Sequence, residues 1–202
     1  MYCNEAEVGE GIRKSGAERF EIFIMRKFAF KADDNWFPVD SDGTFEVLDV
    51  DPAATYTAIE KLLQTGKVRA IGVSNFNKNH FEDLLGKTKV VPAVNQVEAH
   101  PYLQQHDLFE FCKAKGIQPA AYSPLRNNQT GEACTVDDPL VAELGKKLDI
   151  GQVLCSWGVR RGPFVLFKSV TARRIESNTQ VKELPQDAFD QLDALKRHKR
   201  YY

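Results

Sequence analysis

A parallel α/β fold is predicted by three features of this sequence. Short β-rich runs alternate with longer amphipathic stretches, glycines punctuate the ends of the helical ones, and polar residues gather where the β-rich runs end. Taken in order, the first strand is expected at 21–27, where Ile22, Phe23 and Ile24 lead into Arg26 and Lys27. Residues 33–51 are rich in Asp, Pro and Gly, carry Trp36 and Phe37, and read as a long loop. A helix is expected at 55–65, a strand at 70–75, a helix at 78–85 and a strand at 94–98. A helix at 104–115, a strand at 118–122, a helix at 139–147 and a strand at 164–168 continue the alternation. One more helix starts near Arg173 and the last covers 186–196. Gly66, Gly86 and Gly116 fall just past three of these helices, where a left-handed cap residue is wanted.

Composition sets the class. With 202 residues, 43% hydrophobic and 27% charged, a single globular domain over 1–202 is expected. A net charge of -1 without a basic cluster argues against nucleic acid or an anionic membrane as partner. A small molecule fits better, and nothing in the residues reads out an oligomeric state. Cys3, Cys112, Cys134 and Cys155 lie far apart and form no CxxC pair, so neither a zinc site nor a disulfide framework is expected. No stretch reaches the roughly 18 apolar residues of a membrane span, and residues 1–16 are too charged for a signal peptide. A reducing cytoplasm is the expected compartment.

In parallel α/β folds ligands bind at the carboxyl edge of the sheet, so the residues that end the strands carry the functional signal. Ile71-Gly72-Val73-Ser74-Asn75-Phe76 closes one strand. Val94-Asn95-Gln96-Val97-Glu98 forms the next, and Ala121-Tyr122-Ser123-Pro124-Leu125 ends a third. The fourth segment is Phe167-Lys168-Ser169-Val170-Thr171-Ala172-Arg173-Arg174, followed by Asn178. Each has an ordinary reading when taken alone. Ser74-Asn75 makes a turn, Gln96 and Tyr122 sit satisfied in a strand, and residues 168–174 form a Thr-capped helix start with a solvated basic face. His100, before Pro101 and Tyr102, packs a turn more readily than it ligates a metal, because no second ligand stands nearby. No metal is assigned.

Together, in this order and spacing, the four segments resemble the aldo-keto reductase family, and the resemblance implies an NADP-dependent oxidoreductase on a (β/α)8 TIM barrel. It implies that Ser74, Asn75 and Gln96 hydrogen-bond the nicotinamide carboxamide and that Tyr122 stacks on the ring, with Ser123 and Leu125 in the same strand-end segment at the cofactor. Lys168 and Arg174 would neutralise the 2′-phosphate, Ser169 and Thr171 would offer hydroxyls, and Asn178 would read the adenine edge, favouring NADP(H) over NAD(H). Phe167 stands where the family commonly has proline, and Ser177 where an acidic residue is common.

The resemblance also implies catalytic roles for Tyr2, as the acid, and Lys27, as the ammonium that lowers its pKa from about 10. The family's other two catalytic residues, an aspartate and a histidine, have no counterpart. The first would precede Tyr2, and the second belongs to a helix and strand missing between Phe28 and Ala29. The fold expected is therefore an incomplete barrel of the aldo-keto reductase type, shortened at the N-terminus and lacking about three of eight strands. Its expected activity is reversible reduction of an aldehyde or ketone to an alcohol with NADPH, as in the family's sugar, polyol and secondary metabolism. The alternative is an impaired homologue that at most binds NADP(H). Trp36, with Phe37, either lines an apolar substrate pocket over the nicotinamide or caps the core. The short run to Tyr202 implies an open pocket and broad carbonyl use.

Overall fold

A computed structural model describes residues 4–22, 24–25, 41–44, 50–125 and 134–200. Tyr2, Lys27, Trp36 and the Phe28-Ala29 junction lie outside the described residues. The chain divides into two compact units, 1–49 and 50–202. In the first, α1 (Glu5–Ser15) ends at Gly16 with a left-handed φ of 69°, and a 3-10 turn follows at Arg19–Glu21. The strand expected at 21–27 does not form in its described residues. Glu21 closes the 3-10 turn, and Ile22, Ile24 and Met25 belong to no strand element, Ile24 and Met25 being exposed. A β-rich sequence becomes a strand only where a neighbour supplies the ladder.

The second unit holds four parallel strands in sequence order: β1 (Val73–Ser74), β2 (Val94–Glu98), β3 (Gln118–Tyr122) and β4 (Phe164–Leu166). Parallel neighbours need crossovers. These are α3 (Lys78–Lys87), α4 (His106–Ala114), and α5 (Pro139–Leu144) with α6 (Ile150–Arg160). Before β1 lies α2 (Pro52–Glu60), capped by Asp51, whose carboxylate accepts from Ala53 N at 2.9 Å; Pro52 takes the first position, where a missing N–H costs nothing. After β4 come α7 (Ala172–Thr179) and α8 (Gln186–Asp193). The architecture is an incomplete, unclosed (β/α) barrel: among the described residues, no strand pairs with the outer edges of β1 and β4.

Strand alternation sorts the side chains. Val97, Ala99 and Ala121 pack outward with Phe81 of α3 and with Leu108, Phe109 and Cys112 of α4. A second core joins Val141, Val153, Leu154, Trp157 and Leu192 from α5, α6 and α8. The opposite face carries two rows fixed by register. Ser74, Gln96, Ala120 and Phe164 form one, and Glu98, Tyr122 and Leu166 the next. Polar Gln96 and Glu98 are buried there, while Phe164 is exposed.

Gly66 and Gly116 take left-handed φ of 68° and 71°, as the expected caps require. Gly86 does not. It lies within α3, which runs one residue further to Lys87, and Thr88 closes it by donating to Leu84 O. Among the described residues no helix is long and apolar enough to cross a membrane, and no three metal-ligating side chains gather.

Cys112, Cys134 and Cys155 are buried and unbridged. Burial, assisted by the charge of Asp149, pushes the Cys155 thiol up to about 12, and burial also raises Cys112. A thiol whose pKa is raised stays protonated at pH 8, and the thiolate is the nucleophile. In a Cys3→Ser variant, a disulfide-exchange reagent at pH 8 should label none of the three in the native protein within the time that labels all three in urea. Fast native labelling of Cys155 would contradict its placement in α6.

Candidate functional site

At the carboxyl edge of β1 the chain makes an abrupt turn. Asn75 has φ of 62°, a left-handed conformation that costs an L-residue roughly 1 kcal/mol or more and that Asn tolerates best among side-chain-bearing residues. Two donors converge on one carbonyl before it: Ser74 Oγ donates to Gln96 O at 2.8 Å and Asn75 N at 2.9 Å. Ser74 has thereby spent its proton, so it faces a ligand as an acceptor. The Asn75 carboxamide is exposed, with a donor and an acceptor to offer. Beyond the turn, Asn95 pairs with both backbone groups of Phe76, donating from Nδ2 to its carbonyl at 2.9 Å and accepting from its N–H at 3.4 Å. Asn77 then starts α3, accepting from His80 N while His80 Nδ1 accepts from Asn77 N.

The edge of β3 repeats the device. Ser123 follows the strand with φ of 52°, Tyr122 stands half-buried on the inner face, and Leu125 packs into the second core. Thus, of the four positive-φ residues other than glycine among the described residues, two stand immediately after strands, at the carboxyl edge. Such conformations concentrate at ligand sites.

After β4, Lys168 and Arg174 are exposed around the start of α7. Thr171 N donates to Ser169 Oγ at 3.1 Å, and Arg174 N and Ile175 N turn back to Thr171 O. Thr171 makes no side-chain cap to the first turn of α7, and the exposed Lys168 and Arg174 flank that turn in sequence. This donor set suits a phosphate. Asn178 is 3% exposed and lies over Gly151 at the N-terminus of α6, so closely that a β-carbon there would overlap its Oδ1. That glycine is what lets the α7 side chain reach down onto α6.

The structure therefore joins Ser74, Asn75 and Gln96 by hydrogen bonds, places Tyr122 one row further on the same face, and gathers Lys168, Ser169, Thr171 and Arg174 at the far edge. With about 4.8 Å between strands, β1 and β4 are at most roughly 14 Å apart, a span for an elongated ligand.

Polar residues also gather where β2 ends, and among them His100 packs a turn as its place before Pro101 and Tyr102 leads one to expect. Glu98 and His100 are wholly buried, with Oε1 and Nε2 at 3.0 Å, and the His100 and Leu103 backbones pair across the turn. Tyr102 OH donates to Asp138 Oδ2 at 2.6 Å, and Arg197 reaches the same oxygen at 3.2 Å while its guanidinium lies 4.0 Å from the Tyr102 ring. Tyr102 sits next to His100-Pro101 in sequence, but its partners come from segments 36 and 95 residues away, which no local pattern announces.

Residues 34–197 match the model of the Aldo/keto reductase family. The chain is 36% identical to aldo-keto reductase family 1 member A1 of Cricetulus griseus, over 96% of this chain and 64% of that protein, so it spans less than two thirds of that relative's length. It is 32% identical to glycerol 2-dehydrogenase (NADP(+)) of Saccharomyces cerevisiae, over 98% of this chain and 77% of the relative. That alignment runs over 244 positions against 202 residues here. Among solved structures, an aldo-keto reductase enzyme from a Medee basin deep-sea metagenome library superposes with a TM-score of 0.69 at 35% identity, covering 77% of this chain and 59% of the other.

Proposed function

The chain belongs to the aldo-keto reductase family, and from that premise we propose that it reduces an aldehyde or ketone to an alcohol, reversibly, with NADPH. One observation carries the reading: the carboxamide-matching groups Ser74, Asn75 and Gln96 and the cationic start of α7 share one carboxyl edge of one parallel sheet. When bound, the cofactor supplies the hydride. Ser74, Asn75 and Gln96 orient the nicotinamide carboxamide, Tyr122 gives its ring a flat support, and Ser123 and Leu125 shape the adjoining strand end. Lys168 and Arg174 hold the 2′-phosphate with the hydroxyls of Ser169 and Thr171, and the family resemblance assigns Asn178 to the adenine edge. The nearest support for the phosphate reading is chemical, since two exposed cations beside a helix N-terminus favour a dianion over a ribose hydroxyl.

Tyr2 donates the proton that the carbonyl oxygen takes as hydride reaches the carbon, and Lys27 favours the tyrosinate left behind. Trp36 is assigned to the substrate from the family resemblance, as Tyr2 and Lys27 are assigned to catalysis. The fitting substrates are small carbonyl compounds, and a cytoplasmic setting suits both the cofactor and the unbridged thiols.

The test is NADPH oxidation by the 202-residue protein against a panel of aldehydes and ketones. Turnover should fall about 10²–10⁴-fold in Tyr2→Phe, the range for losing a general acid. Turnover that ignores Tyr2 sinks the catalytic assignment. NADPH binding without any turnover supports the second reading, a cofactor-binding homologue without catalysis, which the lack of a histidine counterpart between Phe28 and Ala29 favours.

A further inference from the structure

The hydrogen-bonded ladder between β1 and β2 ends at Asn75 N, which donates to Gln96 O. Because Asn75 is left-handed, the next peptide turns off the ladder, and Phe76 N and O have no strand neighbour to meet. Asn95 replaces that neighbour. Its carboxamide has one face that donates and one that accepts, as a peptide group has, and it engages both polar groups of Phe76. Asn95 is 1% exposed, with Nδ2 3.9 Å from Cys112 Sγ of α4. Asn75 is thus clamped on both sides: Gln96 O fixes the peptide before it, and Asn95 fixes the peptide after it.

We infer that Asn95 is a positioning residue, which sets the left-handed turn at Asn75 and so aims the Asn75 carboxamide at the nicotinamide end of the cofactor. This rests on the NADP(H) reading above. Asn95 lies on the helix-facing side of β2, opposite to Gln96, so it acts through Asn75 and does not touch the ligand.

A residue that merely stabilised the fold would weaken every ligand alike, whereas one that aims Asn75 acts on the nicotinamide half alone. The experiment measures dissociation constants of the full chain for NADPH and for the adenosine 2′-phosphate half of the cofactor, which lacks nicotinamide. Wild type, Asn95→Ala, Asn75→Ala and the double variant are compared. Asn95→Ala should weaken NADPH about tenfold and the adenosine half by less than about twofold, and it should add less than about twofold to Asn75→Ala. Equal weakening of both ligands overturns the inference, as does an undiminished effect in the Asn75→Ala background. Should Asn95→Ala not fold, Asn95→Ser decides: it retains a polar group of smaller size, and discrimination between the two ligands equal to wild type would overturn the inference. If the wild-type chain binds the adenosine half and NADPH equally well, the nicotinamide subsite and this role for Asn95 fall together. If Asn75→Ala weakens NADPH while Asn95→Ala does not, the cofactor reading stands and only Asn95 loses its role.

Discussion

Replacing Lys168 and Arg174 together by alanine should weaken NADPH binding about a hundredfold and change NADH binding by less than about twofold. The 2′-phosphate is the only chemical difference between the two cofactors, so NADH is an internal control for folding. Each cation is exposed and solvent-screened, which puts each contribution near the low end of the 1.5–3 kcal/mol of a charge-assisted bond, or roughly tenfold. Isothermal titration with both cofactors measures it, and raising the salt concentration should narrow the gap between them in wild type. Parallel losses for NADPH and NADH would remove these residues from the phosphate site and leave them as a basic helix start.

The second large effect is on stability. Phe81→Ala should cost about 3–5 kcal/mol in urea unfolding, out of the 5–15 kcal/mol usual for a folded domain. Phe81 has no exposed surface, and its ring packs edge-on against Phe76 at 5.6 Å and tilted against Phe111 at 5.8 Å. Removing it opens a cavity between α3, α4 and β2 that these neighbours cannot fill, because Phe76 is pinned by Asn95 through its backbone. A loss below about 1 kcal/mol would mean that the outer core is not packed as described.

The two central strands are legible in the sequence to their end residues, Val94–Glu98 and Gln118–Tyr122, because apolar residues there alternate with partners and turns bound them. Two helices are not. Gly151 to Gly158 of α6 are all buried, so the segment has no polar face and loses the period that reveals a surface helix. Glu5–Ser15 fails in the opposite sense, with no buried residue and hence no apolar stripe. The site divides in the same way. Ser74, Asn75, Gln96 and Tyr122 can be found because chemistry at strand ends follows chain order, and the structure puts them along one edge. Asn95 stands beside Gln96 in the same motif, yet its partner is a backbone 19 residues away, and a side chain that serves another segment's backbone leaves no mark in its own. Tyr2, Lys27 and Trp36 remain assignments from sequence, outside the described residues.

The meeting of Tyr102, Asp138 and Arg197 also bears on how the protein is made. Asp138 emerges from the ribosome 59 residues before Arg197 does, which at 5–20 residues per second is roughly 3–12 s. During that interval the buried carboxylate has the Tyr102 hydroxyl and its duty as cap of α5, but not the guanidinium that balances its charge. The backbone of residues 197 and 199, which donates to Tyr102 O, is missing as well. The nascent chain can therefore lay down β2, β3 and their helices while this junction stays open, and the carboxyl-side latch closes last.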